Sequence, residues 1–162
     1  MQRKSAFLLA VFALCASNLF AQSKSVIVVE PFTATADATW PYDMKSMQTQ
    51  TVAELKAKLG KQFDIVTEAP AGPKAKVYTL SGEVTGWRPG NAAKRMLVGM
   101  GSGRESADIH YWIIDETGER KFDHKDTIRA EFYSNNYAGS VGQLAHPFAS
   151  KIVKRLDDAK LK

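Results

Sequence analysis

The sequence is almost without cysteine, since Cys15 is the single one among 162 residues. Cys15 lies in an N-terminal apolar stretch that we expect to be removed. The remaining chain can then form no disulfide and no thiolate metal site. Histidine is also scarce, because His110, His124 and His146 are the only three. They are far apart in the sequence and match no metal-binding spacing. We therefore expect neither a metal ion nor another cofactor.

Long apolar runs are lacking as well, apart from one near the start of the chain. Two basic residues precede residues 5–16, an apolar run without charge. This run is too short to span a bilayer, but it has the length and the flanking charge of a signal peptide. Because a small residue precedes the usual cleavage site, we place the cut after Ala21. The sequence thus predicts a cleaved signal peptide at residues 1–21, a single domain at residues 22–162, and export to the periplasm or the extracellular space.

Lipidation of Cys15 is the alternative to its removal. An acylated cysteine normally follows a small residue, and a lipid anchor requires that processing motif. The residue before Cys15 is the bulky Leu14. We therefore do not expect an outer-membrane lipoprotein, and we expect membrane anchoring only if Cys15 is lipidated.

A dense basic stripe is also missing. The full sequence carries a net charge of +5, but its lysines and arginines are spread along the chain. Nucleic-acid-binding domains usually concentrate these residues on one surface together with aromatic side chains. We expect no nucleic-acid partner and interpret the lysines as solvated helix surfaces.

The first half of the chain predicts a β-α-β unit. Ser25–Phe32 is a β-branched apolar run that ends at proline, which is typical of a strand buried on both sides. A loop over residues 33–42 and a predicted N-cap at Asp43 precede an amphipathic helix over residues 44–59. Residues 63–67 form the second strand, and the short connections predict that the two strands are parallel.

The second half predicts three strands and a helix. Apolar residues alternate with polar ones, as in strands that have one buried face. The buried positions are Tyr78, Leu80 and Val84 in the first strand, Ala107, Ile109, Tyr111 and Ile113 in the second, and Ile128, Ala130 and Phe132 in the third. Residues 115–119 predict the turn of a hairpin. The last apolar stripe predicts a helix that begins near Ala145 or His146, since Pro147 is tolerated in a first turn.

Together these elements predict an α/β (α+β) domain in the order β-α-β-β-β-β-α. We expect a two-layer sandwich in which two helices cover one face of a five-stranded mixed sheet. This arrangement buries every apolar stripe, and it leaves the other face of the sheet for water or for a partner.

A glycine-rich segment separates the first two alternating strands. Its apolar residues are Met96, Leu97, Val98 and Met100. A phosphate-binding loop would follow a strand and open a helix, whereas this segment leads into a strand, so we do not expect nucleotide binding. Two interpretations stay open. The segment caps the core, or it is an exposed apolar loop used for assembly.

The same region resembles a known family. The motif residues are Pro89-Gly90-Asn91, Lys94-Arg95, Gly99-Met100-Gly101-Ser102-Gly103, Asp115 and Thr117-Gly118-Glu119. This pattern, within residues 82–120, resembles the bacterial domain of unknown function 4410 family. The resemblance implies an exported protein, often a lipoprotein in that family, with no established activity and no catalytic residues to transfer. At the level of the fold, the first strand and helix are similar to the curli secretion lipoprotein and to the amino-terminal domain of TolB.

Candidate chemistry is sparse. His110 is predicted to share the polar sheet face with Asp108, and Glu83 or Asp108 could orient it for acid–base catalysis. Cross-strand ion pairs on a solvated face explain the same residues. We favour that second interpretation because a flat sheet lacks the cavity that catalysis requires. The sequence therefore predicts no enzyme, and a hydrolase around Asp108 and His110 remains a minor hypothesis.

The aromatic residues of the polar face indicate binding. The candidate contact surface consists of Trp112, Tyr133, Arg129, Glu83 and His110. Tryptophan, tyrosine and arginine are enriched at the centres of protein interfaces. Trp87 and Arg88 are expected to extend the surface at a strand end. We expect a non-catalytic cell-envelope domain that binds another envelope protein or assembles with itself. The alternative is a small-molecule or glycan binding module that uses the same aromatic residues.

Overall fold

The computed structural model describes residues 24–72, 75–91, 103–131 and 139–161. The predicted signal peptide and its cleavage site lie outside these residues. The strands are β1 (Ser25–Val29), β2 (Thr33–Ala34), β3 (Phe63–Val66), β4 (Val77–Arg88), β5 (Ser106–Asp115) and β6 (Arg120–Arg129). The helices are α1 (Met44–Leu59), α2 (Gly139–Asp158) and a short 3₁₀ helix (Ala36–Ala38).

In the described part of the chain the strands form one mixed sheet. Its order is β3-β1-β4-β5-β6, with the short β2 beside β4. β1 is parallel to β3 and to β4, as the predicted β-α-β unit requires, and β4, β5 and β6 are antiparallel neighbours. Side chains of α1 and α2 pack with alternate sheet residues in one apolar core. The predicted α/β (α+β) sandwich is confirmed, with β2 as an additional short strand.

The sequence predicts one continuous strand over Ser25–Phe32 followed by a loop, but in the structure two shorter strands replace it. β1 ends at Val29, and the chain returns to β4 as β2 beyond Pro31. Proline has no backbone N–H for a sheet hydrogen bond, so it breaks the pairing locally. Phe32 is buried against Gly82, where an added Cβ would lie 3.1 Å from its ring. Glycine at position 82 therefore leaves the space that the Phe32 ring occupies against β4.

The predicted helix start and hairpin turn are confirmed. Asp43 caps α1, because its carboxylate accepts a hydrogen bond from the Ser46 backbone N–H at 2.8 Å. In the turn after β5, the Asp115 backbone N–H donates to the Glu119 carbonyl at 3.0 Å. Gly118 has φ +82°, a conformation that side chains disfavour. The local sequence chemistry is sufficient to define both features.

The last two predicted elements begin earlier than expected. The third alternating strand was predicted at residues 127–133, whereas β6 spans Arg120–Arg129. Its first half is charged because β6 lies at the edge of the sheet, where charges are tolerated. α2 begins at Gly139 and contains Pro147 in its interior, so the predicted start near Ala145 or His146 is wrong. A hydrogen bond from outside the helix compensates for the missing proline donor.

Candidate contact surface

The far face is the sheet surface that points away from the two helices. Cross-strand register places Trp112 of β5 between Ser81 of β4 and Asp123 of β6. The next row holds Glu83, His110 and Lys125 in the same order. Predicted contact residues from different strands are therefore neighbours on one surface.

Four residues form a contiguous group on this surface, named the far-face cluster: His110, Trp112, Arg120 and Asp123. The His110 and Trp112 ring centroids are 4.9 Å apart. The Arg120 guanidinium carbon lies 5.4 Å from the centroid of the Trp112 ring, within the range of a cation–π interaction. His110 Nε2 is 2.6 Å from Asp123 Oδ1, and Arg120 also pairs with Asp123. The hydrogen bonds with His110 and Arg120 lower the pKa of Asp123 below its ordinary value.

The structure brings some of the predicted surface together and separates the rest. Glu83 lies opposite His110 in the register. Arg129 is exposed, but it lies six residues along β6 from Asp123, a separation of about 20 Å in an extended strand. Arg129 therefore does not belong to the group around Trp112. All four residues of the predicted assembly loop lie outside the described residues, namely Met96, Leu97, Val98 and Met100. Tyr133 of the predicted contact surface also lies outside them.

The acid–base arrangement considered from the sequence does not occur in the described residues. The side-chain partner of His110 is Asp123, not Glu83 or Asp108. Asp108 instead pairs with Arg88, at 2.6 and 3.0 Å, and accepts a hydrogen bond from Thr127 at 2.5 Å. The interpretation as cross-strand ion pairs accounts for these contacts.

The far face is open over only part of its width. On the β1 side, Val26 and Val28 are 5% and 8% exposed, and Ser81 beside them is 8% exposed. On the β5 and β6 side, His110 and Asp123 keep 24% and 36% of their side-chain surface exposed. The face expected to be open to water or to a partner is therefore accessible at the far-face cluster, whereas its β1 side is buried.

A β-bulge in β4 places Trp87 on the other side of the sheet. Strict alternation from Glu83 would put Trp87 on the far face, where the sequence predicts it. The pairing shifts between Val84 and Gly86, so that Trp87 pairs with the fully buried Ala107. An extra residue reverses the alternation of the strand beyond it. The expectation that Trp87 extends the far face is therefore wrong.

Trp87 belongs to a second group that sequence reasoning missed, named the sheet-end cluster: Trp40, Tyr42, Trp87 and Glu105. Glu105 Oε1 accepts hydrogen bonds from the Tyr42 hydroxyl at 2.5 Å and from Trp87 Nε1 at 2.8 Å. The Tyr42 ring makes edge contacts with Trp40 and Trp87, at centroid distances of 5.2 and 6.3 Å. The only sequence signal was the aromatic content of segments that were assigned to a loop and to the wrong face.

A third polar group joins α2 to the sheet. The Tyr111 hydroxyl donates to Asp126 Oδ2 at 2.7 Å, and Arg155 and Lys151 reach the same carboxylate at 3.1 and 3.3 Å. Burial alone would raise the pKa of Asp126, but the hydrogen bonds from Tyr111, Arg155 and Lys151 outweigh it and lower that pKa. Because all four side chains have partners, this group fixes the packing of the last helix.

The grooves among the described residues lie away from the far-face cluster. Two open grooves of about 450 and 460 Å³ lie at the β3 edge and beside the hairpin turn, and neither is lined by the far-face cluster. In the described ranges, no three His, Cys, Asp or Glu side chains are grouped so that they could hold a metal ion. Nor does any described helix combine the length and the apolar character needed to cross a membrane.

Several solved structures share this fold. The PelC dodecamer from Paraburkholderia phytofirmans has 18% identity and a TM-score of 0.53, over 82% of this chain and 88% of PelC. A protein of the DUF330 family from Xanthomonas campestris has 9% identity and a TM-score of 0.53, over 87% and 91%. A hypothetical protein from Chlamydia trachomatis has 12% identity and a TM-score of 0.51, over 85% and 98%.

Sequence comparison identifies the family. No curated protein matches this chain significantly. The profile of a domain of unknown function, DUF4410, matches residues 12–132 and so covers the strands, the first helix and the hairpin. The family resemblance inferred from the glycine-rich segment is thereby confirmed. This chain belongs to the DUF4410 family.

Proposed function

We propose that this protein is a non-catalytic domain of the bacterial cell envelope that acts by assembling with copies of itself. The predicted signal peptide supports the location. The observation that carries the proposal is the far-face cluster, in which a partly exposed tryptophan, Trp112, contacts both Arg120 and His110 on a sheet surface that neither described helix covers.

The composition of the far-face cluster suits a protein partner. Tryptophan and arginine supply much of the binding energy at the centres of interfaces, because they bury large surfaces while keeping polar groups paired. Arg120 already lies over the Trp112 ring. A sugar that stacks on tryptophan would have to displace this guanidinium or use the other ring face. The geometry therefore favours protein binding over the alternative of a glycan or small-molecule module.

A second copy of the chain is the preferred partner. PelC, which shares the fold over 82% of this chain, forms a dodecamer. Many copies of one chain can assemble through heterologous contacts, in which two different surfaces of each subunit meet. This domain offers two such surfaces, the far-face cluster and the sheet-end cluster. Acidic and basic side chains, such as Asp123 and Lys125, also lie next to each other on the far face, which makes charge complementarity between copies possible.

The oligomeric state of the mature chain, residues 22–162, tests the proposal. We expect sedimentation velocity to show an oligomer whose population rises with concentration. Trp112→Ala should weaken assembly at least tenfold, whereas Lys58→Ala, at an exposed position on α1, should leave it unchanged. Circular dichroism melts would show whether both variants fold.

A wild-type chain that stays monomeric at every concentration would overturn the proposal of self-assembly. A thermal-shift screen with sugars and small molecules addresses the alternative, because a ligand that binds the folded state raises the melting temperature. A ligand that raises it in the wild type but not in Trp112→Ala would favour the binding-module alternative instead.

A further inference from the structure

β6 is the last strand at one side of the sheet, and no strand of the described residues lies beyond it. The Ala130 backbone N–H donates to the carbonyl of Glu105, the residue opposite it, at 2.8 Å. In an antiparallel ladder, such hydrogen-bonded pairs alternate with pairs whose backbone groups point away from each other. The N–H and C=O groups of Asp123, Lys125 and Thr127 therefore point away from β5, along the outer edge. An edge of this kind is a template for another strand.

The outer edge of β6 carries exposed side chains of both charges. Asp123, Lys125, Thr127 and Arg129 are exposed and lie on the far face, one at every second residue. Lys125 pairs with no carboxylate among the described residues. Charges at an edge hinder pairing with most strands. They favour a strand that presents the opposite charges at the facing positions.

A second copy of β6 meets this condition in one antiparallel register. When His124 lies opposite His124 of the other copy, Asp123 of each copy lies opposite Lys125 of the other. A shift by two residues in either direction places Lys125 opposite Lys125 or Asp123 opposite Asp123, and like charges directly opposite each other are destabilising. The backbone fits the same register, because two outward-pointing residues that lie opposite each other exchange both of their hydrogen bonds.

We propose that two copies of this chain pair through their β6 strands, antiparallel and centred on His124, to form one continuous sheet. This inference rests on the proposed self-assembly and adds a second contact to it. Edge pairing uses backbone groups in the plane of the sheet, so the far-face cluster of each copy stays available for its own contact. The β6 contact is isologous, since the same residues of both copies meet across a two-fold axis.

β3, at the opposite side of the sheet, is the other edge with which β6 of a second copy can pair. It spans only four residues, Phe63–Val66, and Asp64 is the single charged residue among them. A pairing of β6 with β3 therefore forms at most one cross-strand ion pair, whereas two β6 strands form two. The length and the charges of the two edges favour a second β6 as the occupant.

A single cysteine at the centre of the contact tests the pairing in the mature chain, residues 22–162, which has no cysteine of its own. Position 124 faces position 124 of the other copy in a pair without hydrogen bonds, at a Cα distance of about 4.5 Å. A disulfide spans this distance. His124→Cys should therefore form a linked dimer under mild oxidation. Arg129→Cys is the matched control and should link at least tenfold more slowly, because its two copies lie about 34 Å apart along the paired strands.

Charge reversal in the His124→Cys background tests the ion pairs. Lys125→Glu places acidic side chains opposite each other at both Asp123 positions, so it should slow the formation of the linked dimer at least tenfold. Lys58→Glu makes the same change of charge at an exposed position on α1 and should leave the rate unchanged. Equal rates for the two charge variants would overturn the proposed register.

The remaining outcomes separate this contact from the proposed function. If the wild type assembles but His124→Cys links no faster than Arg129→Cys, the β6 pairing is wrong while self-assembly stands. A monomeric wild type would overturn the proposed function, and this inference with it.

A carbodiimide, which joins touching lysine and carboxylate side chains, replaces the cysteine test if circular dichroism shows that His124→Cys does not fold. A mixture of ¹⁵N-labelled and unlabelled wild-type chains should then give a peptide that links Asp123 of one copy to Lys125 of the other, detected by mass spectrometry. Absence of this peptide from an assembled sample would overturn the inference.

Discussion

The backbone N–H of Glu131 donates a hydrogen bond to the carbonyl oxygen of Gln143 at 3.4 Å. In a regular helix this carbonyl would accept from the residue four positions later, which is Pro147 and has no N–H. The chain that follows β6 therefore supplies the donor that the proline lacks. This contact explains why α2 continues through Pro147.

Replacement of Pro147 by alanine should raise the free energy of unfolding by about 1 kcal/mol. The variant restores a helical donor and removes the interior proline, while the loss of proline rigidity in the unfolded chain offsets part of the gain. Urea denaturation measures the change. Destabilisation by the same amount would mean that the contact between Glu131 and Gln143 is worth more than the helical hydrogen bond.

Acid should weaken the fold partly through Asp126. Burial raises the pKa of this carboxyl, but the hydrogen bonds from Tyr111, Arg155 and Lys151 lower the pKa by more than burial raises it. The pKa of Asp126 in the folded state therefore lies below its value in the unfolded state. The stabilisation is then present above about pH 4 and is lost as the pH falls through the folded pKa. Denaturant titrations at several acidic pH values should give a shallower loss of stability for Asp126→Asn than for the wild type. Equal slopes would contradict this assignment.

At alkaline pH, the Tyr111 hydroxyl should lose its proton only when the protein unfolds. Burial, and then the hydrogen bond to Asp126, raise the pKa of Tyr111 above its ordinary value. Its contribution to stability is therefore present below about pH 10 and is lost as the pH rises above that value. We expect phenolate absorbance from Tyr111 to appear together with the loss of the circular dichroism signal, as judged by subtracting the Tyr111→Phe titration. Ionisation of Tyr111 in the folded protein would contradict the prediction.

The hairpin turn depends on the left-handed conformation of Gly118, whose φ is +82°. Gly118→Ala should lower the free energy of unfolding by about 1–2 kcal/mol, because a Cβ is strained in this region. Gly118→Asn is the matched control, since asparagine tolerates the conformation better, and it should cost less. Thermal denaturation compares the variants. Equal losses for alanine and asparagine would show that the turn conformation is not the cause.

The two donors to Glu105 should be energetically coupled. Tyr42→Phe and Trp87→Phe each remove one hydrogen bond to Oε1 while keeping an aromatic ring, and each should cost about 1–3 kcal/mol. The double variant leaves the carboxylate without a donor from the described part of the chain, so its loss should exceed the sum of the single losses. A double-mutant cycle by urea denaturation measures this. Strict additivity would show that the two donors act independently.

Local sequence patterns predicted those features of the fold that depend only on residues close together in the chain. The Asp43 cap and the turn with Gly118 depend on residues within one helical turn or one hairpin, and both were predicted. The alternation of apolar residues in β4 and β5 likewise predicted which residues would be buried. The pairing of Trp112 with His110 followed from the same alternation, since residues two apart on a strand share a face.

The positions that prediction missed depend on contacts distant in sequence. The bulge that turns Trp87 toward the helices leaves no local signal, because it is defined by the register against β5. The start of α2 was misplaced because the donor that compensates for Pro147 comes from Glu131 on another element. Asp126 lies in a charged edge strand, and its contacts with Tyr111, Lys151 and Arg155 distinguish it from its solvated neighbours.

The sequence by itself determined the two helices, the alternating strands and the family, because periodicity and capping act within a few residues. The tertiary structure alone decided which polar residues meet. Glu105, Tyr42 and Trp87 come from three separate segments, and their hydrogen bonds form only when the sheet and α1 pack around a common core. A short-range pattern can specify an element, but only long-range packing brings side chains from distant segments into contact.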